Sequence, residues 1–223
     1  MKKLAIALLA ITFSTVSAQA ATIGVKLSSA NMEAAGSHTT NSTSGGSGGA
    51  AVNQSNDADF QIGSIFIESD NIELGPMNMA LGLDIIPFTT EVDKLGGGNG
   101  LDATVEVGNL VTAYIQPTFN PGADVSIFAK LGYAQADLDI TNITRQATEA
   151  GTASTDGSQS KSLDGIMYGL GIQKSVSNGL FDFLRLEGTI TDFDEISHTN
   201  SNGKIVKADA ELLLISLSIG KTF

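Results

Sequence analysis

The chain has 223 residues, no cysteine, 25 glycines and a formal net charge of −12 at pH 7. The lack of cysteine excludes the disulfide-stapled class of small exported domains, and the acidic balance argues against nucleic-acid partners, which need clustered basic residues. Apolar residues make up 42% of the chain and charged residues 16%. Beyond the N-terminus no apolar run reaches the ~18 residues of a membrane-spanning helix, so many short strands are favoured.

Residues 1–20 have the pattern of a cleaved export signal. Lys2 and Lys3 are followed by an apolar run at residues 4–13 and then by Ala18-Gln19-Ala20. These are the three parts of a secretory leader, so cleavage is predicted after Ala20, and residues 21–223 form the mature domain. The alternative, an N-terminal anchor helix, is disfavoured because the apolar run is too short to cross a bilayer.

Eight segments of the mature chain alternate large apolar residues with small or polar ones, a period of two that predicts β-strands with one apolar face. In chain order they are residues 22–28, 59–68, 77–85, 102–118, 125–140, 164–176, 183–195 and 205–223. The second segment has apolar residues on both faces. In the fourth, Asn109 interrupts the apolar face, which predicts a bulge or a change of register.

The connections between these segments alternate between long and short. Long polar stretches lie at residues 30–57, 87–100, 141–163 and 197–204, and short turns lie at 69–74, 120–124 and 177–182. The first stretch is rich in Ser, Thr, Asn and Gly and is predicted to be a mobile loop, since it has little apolar area to bury. Such alternation is typical of barrels with short turns on the periplasmic side and longer loops outside the cell, which places both termini in the periplasm.

The pattern favours an all-β fold, an eight-stranded antiparallel up-and-down transmembrane β-barrel. In a bilayer every backbone polar group must be paired internally, so a sheet can span only if it closes on itself. The apolar faces would then contact lipid and the glycine-rich faces would line a narrow lumen. The main alternative is a secreted β-sandwich with its apolar faces inward, but the polar faces carry too little charge to favour it.

Several charged residues fall on the predicted inner faces of the strands. An unpaired charge in a confined lumen is costly, so these residues are predicted to neutralise one another. Alternatively, several of them lie near a rim and contact water. The predicted lumen charge network consists of Lys26, Asp84, Glu106, Lys130, Arg185 and Glu187.

The leader ending in AQA and the segments MYGLGIQKSV, LRLEGTITDF and LSIGKTF resemble the small eight-stranded outer-membrane barrels of Gram-negative bacteria, of the OmpA, OmpX and opacity-protein type. The resemblance implies a monomer in the outer membrane, in contact with its lipid. It also implies a C-terminal strand that the barrel-insertion machinery reads. The residues matching that signal are Ile215, Leu217, Ile219 and Phe223. Lys221 departs from the family pattern, although a lysine at an interface can extend to water.

Chemistry-bearing residues are sparse. The two histidines, His38 and His198, lie in predicted loops, and no cysteine is present to complete a zinc site of ordinary composition. A triad can be drawn from His198, Glu195 and either Ser197 or Ser201, but serine-rich loops make such adjacency common. We therefore expect no enzyme, cofactor or metal.

The predicted function is an envelope-structural or surface-interaction role. An extracellular ligand would meet the loops at residues 30–57 and 141–163. The alternative is a narrow porin-like channel for small solutes or ions.

Overall fold

The computed structural model describes residues 21–39, 52–69, 72–87, 89–97, 101–122, 124–145, 159–176, 179–199 and 205–223. The predicted leader at residues 1–20 lies outside these ranges, as do residues 40–51, 98–100, 146–158 and 200–204 of the long polar stretches. No helix within the described residues is long and apolar enough to cross a membrane.

The described chain forms ten β-strands. Their bounds are β1 Thr22–Thr39, β2 Val52–Glu68, β3 Ile72–Leu74, β4 Met77–Ile86, β5 Thr90–Gly97, β6 Leu101–Phe119, β7 Val125–Arg145, β8 Gln159–Ser175, β9 Phe183–Thr199 and β10 Ile205–Thr222. The short β3 pairs with the start of β4, and β5 continues the line of β4 along β6. The wall of the molecule therefore has eight main strands.

All pairings are antiparallel, and they close the sheet into a barrel. The hydrogen-bonded order runs β4, β2, β1, β10, β9, β8, β7, β6, and an additional pairing of β4 with β6 completes the ring. The first and last strands are paired along their whole length, from Thr22 opposite Thr222 to Thr39 opposite Ile205. The predicted eight-stranded antiparallel barrel is confirmed.

A belt of large apolar side chains covers the outside of the barrel. Every one of the eight main strands contributes to it, and the side chains are between 36% and 69% exposed. A belt of this kind is expected to face lipid, because water would disfavour so large a continuous apolar surface. Its members are Ile23, Val25, Leu27, Ile65, Ile67, Ile85, Ile115, Ile127, Leu131, Tyr133, Ile166, Tyr168, Leu170, Ile172, Leu184, Leu186, Leu213, Ile215, Leu217 and Ile219.

The strands exchange their apolar face for a polar one part of the way along the barrel. We call the end that carries both described termini and the short turns the turn end, and the opposite end the loop end. On β10 the outward residues Leu213 to Ile219 are apolar, and the inward Ser216 and Ser218 are polar. Toward the loop end Leu212 and Leu214 point inward and are buried, and Glu211 is exposed on the outside.

The same exchange occurs on neighbouring strands. On β1, Ala30 and Met32 are buried toward the loop end, whereas Glu33 is exposed. On β2, Ile62 is buried and Asp59 is exposed, which explains the apolar residues predicted on both faces of this strand. The loop end of the barrel is thus organised like a water-soluble barrel, and the turn end like a membrane barrel.

The strands are longer than the sequence predicts. The stretches predicted as loops at 30–57, 141–163 and 197–204 each begin or end with several residues of strand, and β5 lies inside the stretch predicted as a loop at 87–100. Their described outward positions are polar because this part of the wall faces water, so the sequence there lacks the apolar alternation that predicts a strand. Backbone pairing continues here because each strand still satisfies the N–H and C=O groups of the strand beside it.

Asn109 forms the predicted irregularity in β6. Its φ is 50°, and the register between β6 and β7 shifts between Gly108 and Val111. Asparagine tolerates this left-handed conformation better than most residues do, because its short side chain can bond locally. Here its amide donates to Asp137 Oδ2 at 3.1 Å. The extra residue of the bulge changes which face each following side chain occupies.

Candidate functional site

The lumen at the turn end holds a chain of buried ion pairs. Lys26 on β1 is paired with Asp84 on β4 and lies 2.5 Å from Glu187 Oε1 on β9. Lys130 on β7 lies 2.7 Å from the other carboxylate oxygen of Glu187. One carboxylate therefore holds two ammonium groups from different parts of the wall, and the side chains tie four strands together across the lumen.

A second group of polar contacts is centred on Arg185. Its Nη1 and Nη2 atoms donate to the two oxygens of Glu68, at 2.6 and 2.9 Å. Tyr114 donates its hydroxyl to Glu68 at 2.7 Å, and Gln173 accepts from Arg185 Nε and Nη2 at 3.1 and 2.8 Å. A planar guanidinium bound at two points to a carboxylate is among the strongest polar arrangements in proteins.

Together the two groups are balanced in charge. Lys26, Lys130 and Arg185 supply three positive charges, and the carboxylates that they contact supply three negative ones. These side chains are almost entirely removed from solvent; Arg185 and Glu187 are each 2% exposed. A buried network is tolerated when its charges are paired in this way.

Aromatic rings surround the cations. The Arg185 guanidinium carbon lies 5.2, 4.9 and 4.8 Å from the ring centroids of Phe66, Phe128 and Phe183. Lys130 Nζ lies 4.3 Å from the centroid of Tyr114. These distances are within the range of cation–π attraction, so the rings fill space and also stabilise the positive charges.

Each of these four rings lies against a glycine directly opposite it on the neighbouring strand. An added Cβ on any of the four glycines would overlap the ring. The pairs are Gly24 with Phe66, Gly82 with Tyr114, Gly171 with Phe128, and Gly220 with Phe183. They involve all eight main strands, so the inward glycines predicted from the sequence provide the room in which the rings pack.

The structure brings five of the six predicted lumen charges together and places Glu106 elsewhere. Glu106 lies beyond the Asn109 bulge, opposite Asp139 in the register. Its neighbour Val107 packs against the buried apolar cluster, so Glu106 lies on the other face of the strand. Glu68 is not among the predicted lumen charges, although strict alternation from its outward neighbour Ile67 places it inside.

Toward the loop end the lumen is filled by apolar side chains. We call this cluster the apolar chamber; it consists of Ala30, Met32, Ile62, Ile86, Leu110, Ala134, Ala136, Leu163, Phe193, Leu212 and Leu214. One cavity between the chamber and the ion pairs and one inside the chamber each measure about 20 Å³. A cavity of this size holds about one water molecule.

At the turn end, hydrogen bonds join the turn before β9 to the last residues of β10. Asp182 accepts hydrogen bonds from Lys221 Nζ at 3.0 Å and from the backbone N–H of Thr222 at 2.8 Å. Hydrogen bonding to Thr222 and to Lys221 holds the pKa of Asp182 below its usual value. Lys221, which departs from the family pattern, therefore has a local partner at the rim.

The predicted insertion residues lie on the outside of the final strand. Ile215, Leu217 and Ile219 are part of the lipid-facing belt, and Phe223 is 72% exposed at the turn end. Their reading by an insertion machinery stays a prediction.

The described residues include no group of three or more His, Cys, Asp or Glu placed to hold a metal ion. The side chains of the triad residues Ser197 and His198 lie outside the described part. The described lumen is closed by a tightly packed plug of paired charges, aromatic rings and apolar side chains.

These features define the class of the protein. A closed antiparallel barrel with a lipid-facing belt satisfies its backbone internally, as a membrane-spanning sheet must. The chain is an eight-stranded outer-membrane β-barrel.

No family model and no curated protein matches the sequence. Solved structures that match most of the chain include Neisserial surface protein A, at 11% identity and a TM-score of 0.44, covering 88% of this chain and 96% of that one. The outer membrane protease OmpT from Escherichia coli has 9% identity and a TM-score of 0.44, covering 93% and 98%. Ail, the attachment invasion locus protein of Yersinia pestis, has 10% identity and a TM-score of 0.39, covering 90% and 98%. No function is carried over from these likenesses.

Proposed function

We propose that this protein is a non-conducting, non-enzymatic outer-membrane barrel with an envelope-structural or surface-interaction role. The observation that carries the proposal is the filled lumen: paired charges and aromatic rings at the turn end, and the apolar chamber at the loop end. The turn end faces the periplasm after cleavage of the leader behind Ala20. The loop end projects beyond the membrane, and the stretches at residues 30–57 and 141–163 meet any extracellular ligand there.

The two fillings oppose conduction for different reasons. An ion passing the turn end would have to displace Lys26, Lys130 and Arg185 from their carboxylates, and a buried charge left without its partner costs about 3–5 kcal/mol. At the loop end it would have to enter a chamber whose described lining is apolar, where transfer of a bare charge is far more costly. A porin-like channel for small solutes needs a continuous polar path, and cavities of about 20 Å³ do not supply one.

Conductance of the purified chain in planar bilayers tests the proposal. We expect no current steps above the lipid baseline, either for the parent protein or for a conservative lumen variant such as Thr189→Ser. Current steps in the parent protein that change in size with Arg185→Gln would establish the porin-like alternative instead.

The absence of enzymatic activity is tested on lipid substrates. We expect no lipid turnover by the purified barrel in vesicles. Turnover that disappears in His198→Ala, with the barrel still folded, would overturn this part of the proposal.

A further inference from the structure

The barrel wall has a break in its hydrogen bonding beside the apolar chamber. The ladder between β2 and β4 covers Ile65–Glu68 on one strand and Gly82–Ile85 on the other. Nearer the loop end, β2 is bonded to β1, and β5 is bonded to β6. Strand β5 ends the hydrogen-bonded order of the sheet, although some of its Cα atoms lie within 8 Å of β2. The edges of β2 and β5 therefore lie close together, and no hydrogen-bonded ladder joins them among the described residues.

Local sequence contributes to this break. Pro87 follows directly after β4 and has no N–H to donate to a neighbouring strand. Across the break, β2 continues unbroken along β1 as far as Val52 opposite His38. Separating the two edges disrupts no ladder among the described pairs, whereas opening any other seam would break one. The break is the weakest line in this part of the wall.

The break begins at the margin of the lipid-facing belt that is nearer the loop end. Ile65 and Ile85, the last pair of the ladder, are both exposed on the outside, at 54% and 38%. The next outward residues on β2 toward the loop end, Gln61 and Asp59, are polar and exposed beyond Gly63. The position is therefore the boundary between lipid chains and the water-facing wall. Unpaired edges do not occur in the hydrocarbon region itself, but they are tolerated at such a boundary.

The apolar chamber lies directly behind the break. Its cavity is lined on that side by Phe60 and Ile62 of β2, Ile86 of β4 and Val107 of β6. Across the lumen it is lined by Phe193. No charged side chain lines it among the residues whose side chains the structure describes, so this lining suits an aliphatic occupant and would disfavour a polar one. At about 20 Å³ the cavity takes no more than one methylene-sized group until the edges separate.

We propose that the apolar chamber binds an acyl chain of a membrane lipid, which enters sideways between β2 and β5. The occupant is a lipid chain because the break adjoins the lipid-facing belt and the chamber behind it is aliphatic. Entry at the margin of the belt leads the chain from the hydrocarbon into an apolar lining. This binding site goes beyond the proposed surface role and does not depend on it, since a lipid-filled chamber still conducts no ions.

The chain contains no tryptophan, so a single introduced one reports on its own surroundings. The full chain carrying Phe193→Trp is reconstituted into vesicles of lipids with brominated acyl chains, and its fluorescence is compared with that in unbrominated vesicles. Outward Leu217→Trp is the positive control. Buried Phe183→Trp, which lies in the lumen at the turn end behind complete ladders, is the negative control.

We expect Phe193→Trp to lose fluorescence to an extent comparable to Leu217→Trp, while Phe183→Trp loses none. If Phe193→Trp behaves like Phe183→Trp while Leu217→Trp is quenched, lipid chains do not enter the chamber and the proposal is wrong. Folding of each variant is checked by its gel mobility with and without boiling. Phe60→Trp, at the break itself, replaces Phe193→Trp if the latter does not fold, and the same two outcomes apply.

Discussion

Arg185 and Glu68 are 117 positions apart in sequence, and the guanidinium of one binds both carboxylate oxygens of the other across the lumen. They belong to β9 and β2, which are separated in the wall by β10 and β1. The pair therefore links two strands of the wall that are not neighbours. It also closes the path that an ion would follow.

Breaking this pair on one side should destabilise the barrel strongly. Arg185→Met leaves Glu68 buried without its partner, and we expect a loss of about 3–5 kcal/mol in the free energy of unfolding, measured by urea titration in vesicles. The double variant Arg185→Met with Glu68→Met should regain much of that loss, because no unpaired charge remains. The exposed Lys174→Met is the control and should change stability by less than about 0.5 kcal/mol. Equal losses in the single and double variants would contradict the account.

The packing of rings against glycines gives a prediction with a matched control. Gly171→Ala places a methyl group inside the ring of Phe128, and we expect it to destabilise the barrel by about 1–3 kcal/mol. Gly188 lies on a neighbouring strand with nothing within 4 Å of an added Cβ. Gly188→Ala should therefore be neutral to within about 0.5 kcal/mol. Similar effects of the two substitutions on the urea midpoint would show that the rings do not pack as described.

The orientation of the barrel can be read from single cysteines, since the parent chain has none. We expect Asp192→Cys and Glu33→Cys to react with a membrane-impermeant maleimide on intact cells, because both positions lie on the exposed outer face toward the loop end. Asp182→Cys, at the turn end, should react only after the outer membrane is permeabilised. Labelling of Asp182→Cys on intact cells would show that the turn end faces outward, which is the opposite orientation.

The contacts of Asp182 at the rim predict a pH-dependent contribution to stability. Because the pKa of this carboxyl is lower in the folded protein than in the unfolded chain, its stabilisation is complete above the unfolded value of about 3.9 and is lost as the pH falls through the folded value. Parent protein and Asp182→Asn should therefore differ in urea stability at neutral pH and converge in acid. Asp124→Asn, an exposed aspartate in another turn at the same end, controls for the change in net charge. A difference between parent and Asp182→Asn that stays constant from neutral to acid pH would show that the contacts do not depend on the charge.

The strand count and the closed barrel could be predicted because alternation of apolar residues is a local signal. At Leu213, Ile215, Leu217 and Ile219 the apolar face is unambiguous, and register follows from it. Strand lengths could not be predicted in the same way. Beyond the membrane the outward residues become polar, as at Glu211 and Asp192, and the pattern then looks like that of a loop.

The lumen was only partly predictable. A single bulge at Asn109 is enough to move Glu106 to the other face, and a one-residue change of this kind cannot be counted from composition. Which side chains meet across the lumen depends on how the sheet closes. The pairing of Arg185 with Glu68 therefore could not be predicted from the sequence alone. The role of Lys221 likewise became clear only when the turn carrying Asp182 was placed beside the final strand.

The outer face of β1, β2 and β10 changes from lipid-facing residues toward the turn end to water-facing residues toward the loop end. Single spin labels along β10, from position 209 to position 219 of the protein in vesicles, test it most directly through their collision with oxygen and with a water-soluble nickel complex. The account predicts oxygen contact at 213, 215, 217 and 219, nickel contact at 209 and 211, and little of either at 212, 214 and 216. Nickel contact at 215 and 217 would show that the apolar face does not lie in lipid, and would contradict the account.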